Sequence, residues 1–255
     1  MSLKDYMEKV AVFSTREYLV ACGNSQTNRN LLSRAVKKGK VLKIKRGLYA
    51  SNAGMYQGVT HNKYSIVKAA VPDAVLCYDS AFELFVGQHN IVQRTVFFSA
   101  TETKSFRFQG HEYLPFPIPV KRMKTRSYRQ SDGSVVKGTT PEQTIVDSLV
   151  HPNRCLGIEN VLRSISVVGS INTQELLGIL RGSSTAVTAR AGWILVQKQG
   201  QWQIPDTVIA SLQRNIGSGP LYFTPDHAQA KGSYDKSWKL YFPEPIATMK
   251  AWING

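Results

Sequence analysis

Apolar and polar positions alternate with a helical period through most of the first forty residues. The pattern predicts a helix over residues 3–10 and a second one opening at "STRE". There Ser14 stands as a cap with Glu17 three positions on, the signature of a capping box, and Gly23 provides a left-handed stop. A third helix opens near Ser25 or Thr27 and ends at Gly39. Asn28, Leu31, Leu32 and Ala35 recur at i, i+3, i+4 and i+7 and predict its buried stripe. Val41, Leu42, Ile44, Leu48 and Tyr49 then favour strand, with Lys45-Arg46-Gly47 as the tip of a two-stranded hairpin.

Beyond a stretch that reads as a linker, "NAGMYQG" at 52–58, the period changes several times. A helix is predicted over 62–71, stopped by Pro72, and another in "YDSAFELFVG", capped by Asp79 or Ser80. "RTVFFSA" and "SFRFQGHEYL" read as strands, the second turning at Gln109-Gly110. "RSYRQSDGSVVKG" reads as a hairpin around Asp132-Gly133. In "TTPEQTIVDSLV", Thr140 caps, Pro141 takes the first helical position and Gln143 completes a capping box. "GIENVLRSI", "NTQELLGIL", "TAVTARAGWILVQ" and "PDTVIASLQRNIG" predict further helices, and "SWKLYF" a closing strand. Helices, strands, helices and a last strand in that order imply an α+β fold. The expected organisation is an N-terminal winged helix-turn-helix over residues 1–55, followed by a larger mixed α/β domain over 56–255.

Charge sharpens this picture. The 255 residues carry a net charge of +15. Residues 1–50 hold eleven basic and three acidic side chains, a net +8, so half of the excess falls in a fifth of the chain. Such a concentration points to a polyanion. The third helix supports DNA in particular. Gln26, Asn30, Ser33, Arg34 and Lys37 fall on one face at i, i+4, i+7, i+8 and i+11, and that face has no acid. Gln and Asn pair with adenine edges, Arg with guanine, Ser and Lys with phosphate or base. Lys38 adds to the helix, and Lys43, Lys45, Arg46 and Tyr49 extend the candidate set onto the hairpin, which suits phosphate or minor-groove contact, with Tyr49 read either as a wing contact or as core. A second basic run, Lys121, Arg122, Lys124, Arg126 and Arg129, reads as another phosphate contact, an acidic-partner surface or a solvated strand pair.

Signals of chemistry are sparse. The sequence has no glycine-rich phosphate loop, nucleophile elbow or His-Glu-x-x-His, and no Asp-x-Asp pair. The five histidines are scattered, and Cys22, Cys77 and Cys155 lack metal-ligand or disulfide spacing. No metal, cofactor or catalytic residue is expected. The enzymatic alternative is a Mg²⁺-dependent nuclease using Pro72-Asp73 and Glu102-Thr103-Lys104, a loose PD…ExK match. No apolar run approaches membrane-spanning length and the N-terminus lacks the features of a signal peptide, so a cytoplasmic protein without membrane contact is expected.

Several stretches, in order, resemble the AbiEi family of type IV toxin–antitoxin antitoxins. They are "LLSRAVKKGKVLKIKRGLYA", "YDSAFELFVG", "TTPEQTIVDSLVHP", "ARAGWIL" and "GSYDKSWKLYF". The resemblance implies an N-terminal winged helix that represses the protein's own operon by binding double-stranded operator DNA. It also implies a C-terminal domain that opposes a nucleotidyltransferase-like toxin in phage defence, without a need for a stable complex. An inverted-repeat operator is the expected target, because one winged helix has a small footprint. A solitary winged-helix regulator without a toxin is the other family-type alternative.

Overall fold

The computed structural model describes residues 1–87, 92–102, 104–119, 123–130, 133–225 and 233–255. In chain order the first half contains α1 (Leu3–Lys9), β1 (Val12–Ser14), α2 (Thr15–Cys22), α3 (Gln26–Lys37), β2 (Val41–Lys45), β3 (Leu48–Ser51), α4 (Lys63–Ala70), β4 (Val75–Leu76), α5 (Tyr78–Val86), β5 (Arg94–Ser99), β6 (Phe106–Phe108) and β7 (His111–Pro117). The second half contains β8 (Thr125–Arg129), β9 (Val135–Thr139), α6 (Pro141–Val150), α7 (Ile158–Ser166), α8 (Thr173–Leu180), α9 (Thr185–Gln197), α10 (Gln199–Trp202), α11 (Asp206–Arg214), β10 (Leu221–Tyr222), β11 (Tyr234–Asp235), β12 (Leu240–Tyr241) and α12 (Ile246–Asn254). The fold is mixed α and β, and no helix of the described residues is long and apolar enough to cross a membrane.

Two compact units share the chain. One comprises Met1–Val75, Val92–Ile118 and Arg129–Val136, the other Leu76–Ile91, Pro119–Tyr128 and Lys137–Gly255. The stretch read as a linker, 52–58, holds a short 3-10 turn at Gly54–Tyr56, and the chain stays in the first unit as far as Val75.

In the first unit, β1, β3 and β2 form an antiparallel sheet with β3 central. Phe13 faces Tyr49 and Lys43 faces Tyr49 in the two registers, and a bulge at Ile44 separates Lys43 from Lys45. Strand β1 is absent from the sequence expectation. Three residues are too few to show alternation, and its partner β3 lies far along the chain. Against this sheet, whose Phe13 and Val41 face the core, pack Tyr6, Met7, Tyr18, Leu19, Leu32 and Ala35, with Tyr6 edge-on to Phe13 at 5.2 Å. Further on, β5 pairs in parallel with β7, and β6 pairs with β7 through the turn at Gln109-Gly110. Both turn residues have positive φ, as a two-residue hairpin requires.

In the second unit, α9 with nine buried residues and α6 with seven contribute more to the interior than any other helix. Thr140 caps α6 and Pro141 opens it, as expected. Gln143 does not close the capping box, because its side-chain amide binds the Lys124 N–H and Asp147 instead. Helix α5 opens at Tyr78 behind Cys77, with Asp79 inside its first turn rather than capping it. The expected closing strand shrinks to Leu240–Tyr241, and the chain ends in α12. Trp238, expected in that strand, lies across Gly192 of α9. A Cβ at Gly192 would overlap its six-membered ring.

Candidate nucleic-acid interface

The position of α3 is set by short-range contacts. Ser14 and Glu17 form the expected capping box at the start of α2, and Gly23, at φ +100°, ends it. Ser25 accepts from the Asn28 N–H and opens α3. The Asn28 amide donates to the carbonyls of Cys22 at 2.7 Å and Gly23 at 2.8 Å, and the Tyr18 hydroxyl donates to the Asn28 carbonyl. Asn28 therefore locks the turn between the two helices. It was placed on the buried stripe by period, but its work is polar.

Only Leu32 and Ala35 of α3 are buried. Leu31, expected beside them, is 39% exposed, a correction to the predicted stripe. Its period position sits at the stripe's edge, and the cluster under α3 is filled by Tyr18 and Tyr6 instead. Gln26, Asn30, Ser33, Arg34 and Lys37 are all exposed, and the Gln26 amide donates to Asn30 Oδ1 at 3.1 Å. The first turn of α3 has no acid, and its last turn carries Arg34 and Lys37, which suits the helix dipole. Lys38, at the C-cap, is exposed, and so is Lys40. Sequence reasoning passed over Lys40, although its place just beyond Gly39 among other lysines marked it.

The hairpin residues divide. Lys43 on β2 and Arg46 at the turn are exposed, while Gly47 takes φ +77° and its carbonyl accepts from the Thr15 N–H. Tyr49 is half-buried and stacks on Phe13 at 6.0 Å, as part of the core. Lys45 is already engaged. Its Nζ lies 2.6 Å from Glu102 Oε2 and 5.4 Å from the centre of the Phe106 ring. Glu102 is 57 positions away, so no local pattern signals this pair.

The residues of the nuclease alternative do other work. Asp73 accepts from the Ser99 hydroxyl, the Ala100 N–H at 2.7 Å and the Thr101 hydroxyl at 2.7 Å. The Thr101 hydroxyl, with the other donors, holds its pKa below the ordinary carboxylate value against the opposing effect of burial. Asp73 thus caps a loop. Glu102 faces Lys45, and Thr103 lies outside the described residues. Among the described residues, no three His, Cys, Asp or Glu side chains are grouped to hold a metal ion.

The second basic run is described only in part. Lys124 and Arg126 belong to the second unit and Arg129 to the first, and Lys121 and Arg122 lie outside the described residues. Arg126 stands 4.6 Å over the Tyr128 ring and lines a cavity of about 750 Å³ with Phe85, Glu142 and Ile171. Glu142 is buried and accepts the Asn172 N–H at 2.5 Å. Deeper in the same unit, Arg154 donates to the Tyr78 hydroxyl at 2.8 Å. Tyr78 has φ +53°, a conformation that a bulky side chain rarely adopts. Asp147 Oδ2 is buried without a partner among the described residues, and burial pushes the Asp147 pKa up to about 6.

No family model matches the sequence, and no curated protein matches it significantly. Among solved structures, the crystal structure of the RV2827C protein from Mycobacterium tuberculosis is similar to this chain at 12% identity with a TM-score of 0.66. The match covers 97% of this chain and 91% of that one. At this identity the likeness is one of fold, and it extends over nearly the whole length of both molecules.

Proposed function

We propose that residues 1–55 are a winged helix-turn-helix and that the chain is a non-enzymatic, DNA-binding transcriptional autorepressor. One observation carries this reading. The order α1-β1-α2-α3-β2-β3, with β3 between β1 and β2, leaves the acid-free face of α3 wholly exposed beside a basic hairpin. An α-helix of this kind fits the major groove. Gln26, Asn30 and Arg34 read base edges. Ser33, Lys37 and Lys38 hold the backbone near α3, and Lys43 and Arg46 do so from the wing. Two copies bind an inverted repeat, with half-sites about one helical turn apart.

For the second unit the resemblance to AbiEi supports an antitoxin role against a nucleotidyltransferase-like toxin, exerted without a stable complex. Two of the resembling stretches, "ARAGWIL" and "SYDKSWKLYF", meet where Trp238 lies across Gly192, so they act as one packing unit. Co-expression with the neighbouring gene product tests this role, and growth arrest that the chain does not relieve would count against it.

The DNA reading is tested by fluorescence anisotropy with DNA from upstream of the chain's own gene and a scrambled control, over a salt series. Selective binding to the upstream DNA is the expected result. Equal, steeply salt-dependent binding to both would reduce the interface to a basic surface. Mg²⁺-dependent cleavage that is lost in Asp73→Ala would favour the nuclease.

A further inference from the structure

We infer that Glu102 is a charge brake on the hairpin, withholding Lys45 from DNA and so setting the sequence-independent part of the affinity. This rests on the DNA-binding reading above. Lys45 is the last residue of β2, beside the turn that carries Arg46. By sequence it belongs with Lys43 and Arg46 as a phosphate contact. Among the described residues, no carboxylate pairs with those two. Lys45 differs because its ammonium is held between Glu102 Oε2 and the Phe106 ring, and the two charged side chains are only 29% and 22% exposed.

The carboxylate is delivered by a loop that is fixed without Lys45. The Glu102 N–H donates to Ser99 Oγ at 2.8 Å, and Ser99, Ala100 and Thr101 all donate to Asp73. A side chain presented from such a loop gives up little freedom on pairing, unlike a pair of mobile surface chains. A phosphate reaching for Lys45 has to displace both the carboxylate and the aromatic face. Each lysine that neutralises a phosphate adds about 0.9 to the logarithmic salt slope and strengthens random and specific DNA alike. Holding Lys45 back therefore lowers non-specific residence and leaves base reading by α3 untouched.

The test is anisotropy on the full chain with upstream and scrambled DNA across salt. Glu102→Gln is expected to tighten both DNAs by a similar factor, about threefold to tenfold at low salt, and to steepen the slope by about 0.9. Lys45→Ala alone is expected to change either affinity by less than about twofold. The double variant is expected to behave like Lys45→Ala. Glu102→Ala has to give the same slope as Glu102→Gln, which separates released charge from local rearrangement, and thermal melts check that each variant is folded. An unaltered slope in Glu102→Gln, or a flattened slope in Lys45→Ala alone, overturns the inference while the DNA reading stands. A native chain that binds neither DNA at any salt overturns both.

Discussion

Helices α3 and α9 are nearly equal in length, twelve and thirteen residues, and each carries an arginine in its second half or middle. In α9 nine residues are buried, Arg190 among them. Its guanidinium donates to the carbonyls of Tyr222 at 2.8 Å and Leu149 at 2.7 Å, and burial draws its pKa down to about 10. In α3 two residues are buried and Arg34 is exposed. Similar residue types thus serve opposite ends. A helix anchored by two side chains, a cap and a locked turn leaves most of its surface exposed. A helix buried on nearly all sides has to satisfy even its cation internally, because an unpaired buried charge is costly.

Variants in the two helices should therefore separate stability from binding. The largest effect is expected from Gly192→Val in α9, where the new side chain meets Trp238. Overpacking of this kind costs about 3 kcal/mol or more. Urea denaturation should register it as a lowered midpoint, and a midpoint within error of the native one would contradict the packing described. Arg34→Ala in α3 should leave the melting temperature in place. It should cost about 1–3 kcal/mol on upstream DNA, with a much smaller loss on scrambled DNA. Equal losses on both would assign Arg34 to phosphate rather than base.

An effect confined to a change of pH concerns the interior of the second unit. The folded-state pKa of Asp147, about 6, lies above its ordinary value of 3.8. Its raised pKa means that the carboxyl favours folding fully at pH below 3.8 and loses that contribution as pH rises through 6. Asp147→Asn does not titrate there. Its stability relative to the native chain should rise between pH 4 and 6 and level off above pH 7, a change of about 2–3 kcal/mol. Denaturation at pH 4 and pH 8 checks this, and a pH-independent difference would remove Asp147 from the account.

What could be read from the sequence was mostly what is local. The Ser14–Glu17 box, the Gly23 stop, the Thr140-Pro141 helix start and the Gln109-Gly110 turn depend on residues a few positions apart, and all are present. The exposed face of α3 was legible for the same reason. Long-range choices were not. Gln143 had an equally good local partner but is taken by Lys124 and Asp147. Tyr49 was open between wing contact and core by sequence, and Phe13 opposite it decides for the core. Lys45 gave no sign of Glu102, nor Gly192 of Trp238. Each of these depends on which distant segment the fold brings alongside.

The interleaved path of the chain also has a consequence in time. The sheet of β1, β3 and β2 is complete once residue 51 has been made, whereas the first unit draws on segments as far as Val136. At a synthesis rate of about 5–20 residues per second, roughly 4–17 s separate those two points. Through the first part of that interval the carboxylate opposite Lys45 does not yet exist. The nascent hairpin thus carries one more uncompensated charge than the finished molecule.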